Sequence, residues 1–472
     1  MNLALALCGG GSKGSYQLGA LKALKELNYE YDIICATSIG TLNGLMVFQN
    51  DYEKLENIWN NISLKDVINF KGNYENKDIK SLFNQKEDLV LFFKDYLNNF
   101  GVDILPLKEM LLKNIEIDCF KNNKTIFGVV VCEVPKIKKK EIVLNSLSKE
   151  YIFNYLIASC SCFPFFPIHK INSNYYIDGG YLDNLPIDFC FKLGADEIIA
   201  IDLNNKITHK KYLLNDKIKY IYPKISLGSF MSFDKNVHKK NEILGYFDVY
   251  KYFKKYNGVL YTFVIEDYLD YKNRLLNKYH LFFDLVTKEN KKNKEKIINK
   301  LFAGLDRGYL SEYLNNEEMF YYIIESIGLI LKIDYTKIYT LNNYFELVRF
   351  SLSRKNNKVY EKIDLNKKNI FKGIDYIDTL IIMYDLYKNE EIPYKILFDV
   401  YSYKKEVFLP LLCFNILKKW LQKVIIFNFY STAIIYVYKS CFPSMISTST
   451  ESLISEIYSS KASNSSSVAS IP

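Results

Sequence analysis

Three stretches of this chain carry residue types in an order that suits acyl transfer. The first is Gly9-Gly10-Gly11-Ser12-Lys13-Gly14, directly after the apolar run Leu3 to Cys8. The second is Ala36-Thr37-Ser38-Ile39-Gly40, at the end of the apolar run Ile33 to Ala36. The third is Asp178-Gly179-Gly180, after the short run Tyr175 to Ile177. Such chemistry needs a nucleophilic hydroxyl, a group to take its proton, and donors aimed at a developing oxyanion.

Ser38 falls between a strand pattern and a helical one. A nucleophile at a sharp strand-to-helix turn sits in a strained backbone conformation, so the residues two before and two after it must be small. Here they are Ala36 and Gly40. The common pattern has glycine at both places, so Ala36 adds one methyl to the elbow. The helix that opens near Gly40 points its positive end at the hydroxyl. The competing use of the same five residues is a serine that only caps that helix.

The glycine loop also fits Gly-x-Gly-x-x-Gly, which raises dinucleotide binding. That use wants an acidic residue at the end of the second strand. Asp32 stands at the strand's start, and its end carries Ala36-Thr37-Ser38 instead. The other use of such a loop is an oxyanion hole, with Gly10 and Gly11 as the best amide donors and Lys13 adding positive charge at the mouth. A purely structural turn is the third.

For the base, the chain offers four histidines: His169, His209, His238 and His280. None follows a late strand in a distinctive turn, and Phe166-Pro167-Ile168-His169 reads as surface loop. Asp178 is the better candidate. Two glycines free it to approach a serine, and partial burial raises its basicity. Asp-Gly is also a common turn pair. Asp183 is the second choice.

The elements that must position these groups alternate. Strand patterns at Leu3–Cys8, Tyr31–Cys35, Thr125–Val134, Glu141–Leu144, Tyr175–Ile177 and Glu197–Asp202 are interleaved with helical patterns at Ser15–Leu27, Thr41–Gln49, Lys149–Ala158 and Pro186–Leu193. A more polar helical region covers Asp51 to Asn99, and Leu105–Lys113 is a short helix. This alternation predicts an α/β fold, a mostly parallel central sheet flanked by helices. The catalytic domain is expected over 1–204. Residues 205–235, basic and polar, read as a linker or surface excursion. Residues 236–443 read as a mainly α-helical domain, with helices at Lys288–Leu301, Glu317–Leu331, Asn342–Leu352, Tyr376–Tyr387 and Val407–Leu421. Residues 444–472 are Ser-rich and predict a disordered tail.

Bulk properties narrow the function. Of 472 residues, 49% are apolar and 16% aromatic, enough for a sizeable core. The formal charge of +9 permits attraction to anionic surfaces without demanding it. Lysines are dispersed and no nucleic-acid motif is present, so a nucleic-acid partner is not expected. The nine cysteines are irregularly spaced, several within apolar runs. That predicts buried free thiols in a reducing, cytoplasmic compartment and no metal site. The amino terminus lacks the pattern of a secretory signal. Val424–Tyr438 is too short and too interrupted to span a membrane. With Val407–Leu421 and the flanking lysines it suits interfacial adsorption or a buried hairpin.

Taken together, the glycine loop at 9–14, the serine elbow at 36–40 and Asp-Gly-Gly at 178–180 resemble the patatin-like phospholipase family. Ala158-Ser159-Cys160-Ser161-Cys162-Phe163-Pro164-Phe165-Phe166-Pro167 is similar to that family's segment ahead of the aspartate. The resemblance covers about residues 3–204, with Ala36 in place of glycine as its departure. It implies a three-layer sandwich and a Ser38–Asp178 dyad without histidine. Gly9, Gly10, Gly11 and Gly14 would form the oxyanion loop, supported by Lys13, Ala36, Gly40, Gly179 and Gly180. The substrates it implies are phospholipids or other lipid esters, with no metal or cofactor; contact with a membrane surface is the expectation that the C-terminal apolar stretches leave open. Two alternatives stay open: a catalytically silent module that binds lipid, and an esterase or acyltransferase on other substrates.

Overall fold

A computed structural model describes residues 1–69, 102–206, 209–265, 316–354 and 370–388, with a few further positions between 400 and 410. The chain divides into two units: Met1–Glu266 with Asp334–Thr340, and Asp267–Ile333 with Leu341–Pro472.

The first unit is built on an eight-stranded sheet. Its strands are β1 (Leu3–Leu7), β2 (Ile33–Ala36), β3 (Ile126–Val134), β4 (Lys138–Val143), β5 (His169–Ile171), β6 (Asn174–Asp178), β7 (Glu197–Ile201) and β8 (Ile218–Ile221). Strands β3, β2, β1, β7 and β8 lie side by side and parallel. The central ones, such as Leu-Ala-Leu-Ala-Leu in β1 and Ile-Ile-Cys-Ala in β2, are apolar throughout because both faces are covered. Phe127 and Gly128, adjacent on β3, mark the two faces. A methyl at Gly44 of α2 (Ile39–Phe48) would touch the Phe127 ring, whereas one at Gly128 would strike Phe189 of the helix Ile187–Lys192. Helices therefore cover both faces of a mostly parallel sheet, as the strand–helix alternation predicts.

Two features lie past the expected boundary at Asn204. Strand β8 pairs with β7 inside the central sheet. Helix Lys235–Tyr252 packs on α1 (Ser15–Glu26) at backbone contact: a methyl at Gly19 would sit 1.7 Å from the Glu242 carbonyl oxygen, and one at Gly245 would sit 1.9 Å from that of Tyr16. The buried Tyr16 hydroxyl adds a 2.7 Å bond to Asp248. Residues 205–235 are thus no linker, and the first unit runs on to Glu266. Four-residue β8 is too short, and too mixed with lysine and tyrosine, to announce itself in a polar stretch.

In the second unit the described helices are Asn316–Ile330, Leu341–Leu352 and Tyr376–Lys388. They match three of the expected helices and fit a mainly helical region. Lys288–Leu301, most of Val407–Leu421, Val424–Tyr438, the tail at 444–472 and much of Asp51–Asn99 lie outside the described residues. No helix among the described residues is long and apolar enough to cross a membrane.

Candidate active site

Strand β3 brings the serine and the aspartate together. Strand β4 pairs with β3 from Gly128 to Glu133, so it occupies one whole edge. The opposite edge is shared. Parallel β2 takes its first part and ends with Ala36 opposite Val129. Antiparallel β6 takes its last part and ends with Asp178 opposite Val131. The carboxyl ends of β2 and β6 therefore meet head to head, two β3 residues apart, about 7 Å along a strand. Ser38, two residues past Ala36, turns into that junction.

Ser38 itself has φ 54 and ψ −129, a conformation that costs a non-glycine residue about 1–3 kcal/mol. Its side chain makes no capping bond to α2. Hydrogen bonds from neighbouring residues hold the strained backbone instead. The Ser38 amide donates to Ser159 Oγ at 3.0 Å, and Ser159 in turn donates to the Val130 carbonyl at 2.8 Å. The Ser38 carbonyl accepts from the Thr41 hydroxyl at 2.6 Å. Gly40 is obligatory, since a methyl there would lie 2.7 Å from the Leu7 carbonyl oxygen. Ala36 is accommodated differently. Its methyl faces Gly44 on α2, where a side chain would come within 3.4 Å of it. The glycine missing from the elbow is supplied one turn further along the helix.

Asp178 is 4% exposed. Burial pushes its carboxyl up to about 6, against the opposing pull of hydrogen bonds from the Ser38 hydroxyl and the Gly180 amide. The Gly180 bond is 2.7 Å long. Its backbone is tied to Ser161 at 2.9 Å, within the segment that also provides Ser159. A buried carboxylate that shares a cavity with a serine hydroxyl and is poised near neutrality can accept that hydroxyl's proton.

The glycine loop runs past the same point, and its four glycines have different roles. The Gly9 amide donates to the Asn184 carbonyl at 3.1 Å and is not a free donor. A methyl at Gly9 would instead strike Ser38 Cβ at 2.8 Å, so this glycine gives room to Ser38. Gly10 and Gly11 face the cavity, and among the described hydrogen bonds their amides donate to nothing. Gly14 does not line the cavity. It lies under the Trp59 ring, 2.7 Å from a Cβ placed there, and its carbonyl accepts from Asn43. Lys13 is likewise absent from the cavity lining.

Two candidates fall away. Asp183 forms an ion pair with Lys139 at 2.8 Å, and does not face the cavity. His169 lies on edge strand β5 rather than in a loop. It bonds to Asn154 at 3.0 Å, with its imidazole pushed down to about 4 by burial and the Lys108 charge. Two others gain roles. Asn184 clamps the glycine loop, donating to the Gly9 carbonyl at 3.2 Å and to Cys8 Sγ at 3.0 Å while its own carbonyl takes the Gly9 amide. Ser159 fixes the Ser38 backbone, and its place in the Ala158–Pro167 segment is the only sequence signal for it.

A cavity of about 360 Å³ opens onto Ser38 and Asp178. Beyond the loop, Ser38 and Asp178 its walls are largely apolar, with Ile39, Leu107, Met110, Phe165, Phe230 and Phe233 among them. That is the ordinary size and character of a small-molecule pocket, and it suits a hydrocarbon chain.

Comparison with known proteins agrees with this geometry. The family model for patatin-like phospholipase matches residues 5–191. Lysophospholipase NTE1 of Phaeosphaeria nodorum is 27% identical over 206 residues, 43% of this chain and 12% of that protein. Lysophospholipase NTE1 of Kluyveromyces lactis is 28% identical over 204 residues, again 43% and 12%. The matched segment thus spans about an eighth of these relatives' length. VipD from Legionella pneumophila aligns over 90% of this chain and 93% of its own at 14% identity, with a TM-score of 0.35 that carries no weight. Over residues 5–191 this chain therefore matches the patatin-like phospholipase family.

Proposed function

We propose that the protein is a lipid acyl hydrolase of the phospholipase A or lysophospholipase type, working through Ser38 and Asp178. One observation carries it: a strained serine and a buried carboxylate that line the same apolar cavity. Ser38 Oγ attacks the ester carbonyl while Asp178 takes its proton. The oxyanion is held by the Gly10 and Gly11 amides. The amide of Ile39, which follows the nucleophile, is a further donor of the kind such elbows use. Collapse breaks the ester C–O bond, and the departing alcohol takes the proton from Asp178. Water, deprotonated by Asp178, then attacks the acyl-serine; as the fatty acid leaves, Asp178 returns that proton to Ser38 Oγ. The seven described cysteines are all unpaired, in keeping with a cytoplasmic setting.

The test is product analysis on a panel of mono- and diacyl phospholipids alongside simple esters. Free fatty acid from phospholipids is expected. Turnover confined to simple esters would favour a general esterase, and binding without turnover a silent lipid-binding module. The pH profile is a second check. Asp178 accepts a proton only when ionised, and its carboxyl is pushed up to about 6. Accordingly kcat/KM is expected to rise about tenfold per pH unit below that value and level off above it. A flat profile between pH 4 and 7 would exclude Asp178 as the base.

A further inference from the structure

The segment joining β8 to the helix Lys235–Tyr252 supplies one wall of the cavity, and it lies past the region matched to the family. Phe230, Met231 and Phe233 share the space that Ser38 faces. The wall is pinned along its length. The Ser12 amide donates to the Phe230 carbonyl at 2.8 Å, and the Ser12 hydroxyl to the Ser229 carbonyl at 3.0 Å. Asn241 donates to the Leu227 carbonyl at 3.0 Å. Phe233 packs edge-on against buried His238, which meets Trp59 edge-on in turn. Across the cavity the Phe230 ring meets Phe165 edge-on, with centroids 5.5 Å apart.

Phe230 stands beside the oxyanion loop. A Cβ at Gly11 would lie 3.3 Å from that of Phe230. The aromatic pair is therefore close to where an ester carbonyl would bind, not at the remote end of an acyl chain. In a diacyl glycerolipid the second ester is on the neighbouring glycerol carbon, so its chain must pass near the scissile carbonyl. A monoacyl lipid has only a hydroxyl there. A close-packed aromatic wall does not yield cheaply to an extra chain.

We propose that Phe230, braced by Phe165, is a specificity residue that restricts the site to single-chain lipid esters. This rests on the hydrolase function proposed for the same site. Full-length wild type, Phe230→Ala and Phe230→Leu are compared on monoacyl and diacyl phosphatidylcholine of matched chain length in the same mixed micelles. Wild type is expected to prefer the monoacyl lipid. The alanine variant should raise the diacyl-to-monoacyl ratio of kcat/KM at least tenfold, with leucine intermediate and still folded if alanine is not. An unchanged ratio in both variants, or a wild type indifferent to the second chain, overturns the proposal.

Binding separates the two ideas. Ser38→Ala proteins, with and without the Phe230 change, are titrated with non-hydrolysable monoalkyl and dialkyl ether phosphocholines. If no ester is turned over but the Phe230 change shifts binding toward the dialkyl analogue, the hydrolase function fails and the wall stands. If esters are turned over and neither the kinetic ratio nor the binding ratio moves, the wall fails and the hydrolase stands.

Discussion

Asp178→Asn is expected to lower kcat by at least about 10³-fold while making the protein more stable at pH 7. The loss follows from the role: an amide cannot take the Ser38 proton. The gain follows from burial. The carboxyl, 4% exposed, is pushed from 3.8 to about 6, so the fold prefers its neutral form. The carboxyl's contribution is fully favourable below pH 4 and is lost as pH rises through about 6. Above that, the buried charge destabilises the fold by up to about 3 kcal/mol, taken from the shift between 3.8 and about 6. Asparagine has no charge to bury and can still accept from Gly180. Urea unfolding of both proteins at pH 4 and pH 7 checks this. The variant's advantage should appear at pH 7 and vanish at pH 4. An asparagine variant that is less stable at pH 7, or that retains turnover, would contradict the account.

Gly11→Ala is expected to lower kcat by about 10²–10³-fold. Gly11 has φ +59, and a methyl there would lie 2.2 Å from the Phe230 carbonyl oxygen, so the loop must move. Moving it displaces the two amides that face the cavity and breaks the bond from Ser12 to Phe230. Gly194→Ala is the informative comparison. Its φ is +94, yet nothing lies within 4 Å of the added carbon. That variant should lose about 1–2 kcal/mol of stability to the backbone conformation alone and keep full activity. Equal activity losses in the two variants would mean that the loop has no particular role in turnover.

How much of this was legible in the sequence depended on distance along the chain. Buried parallel strands such as Leu3–Leu7 and Ile33–Ala36 read as apolar runs because both faces are covered. Ser38 and Asp178 stood out because strand ends, glycines and small neighbours mark sharp turns locally. Their meeting needed only the shared edge of β3. Ser159 and Asn184 were not legible as working residues. Each acts across more than a hundred residues, 121 from Ser159 to Ser38 and 175 from Asn184 to Gly9, and a lone polar side chain has no periodicity to betray it. Gly9 and Gly14 were read with the loop as one motif, yet the fold uses the first as clearance and the second as packing. How the elbow takes Ala36 in place of glycine is likewise a matter of tertiary structure, because the Ala36 methyl faces Gly44 on the covering helix. Residues 205–235 misled most. Their polar composition hid a short strand and three residues that line the cavity, Phe230, Met231 and Phe233.

The central claim is that Ser38 is a nucleophile activated by Asp178. Its most direct test is covalent labelling with a fluorophosphonate, followed by peptide mapping by mass spectrometry. The account predicts one adduct, on the Ser38 peptide, forming quickly in wild type, much more slowly in Asp178→Asn, and not at all in Ser38→Ala. Labelling at any other serine with Ser38 left unmodified, or a rate unaffected by Asp178→Asn, would contradict it.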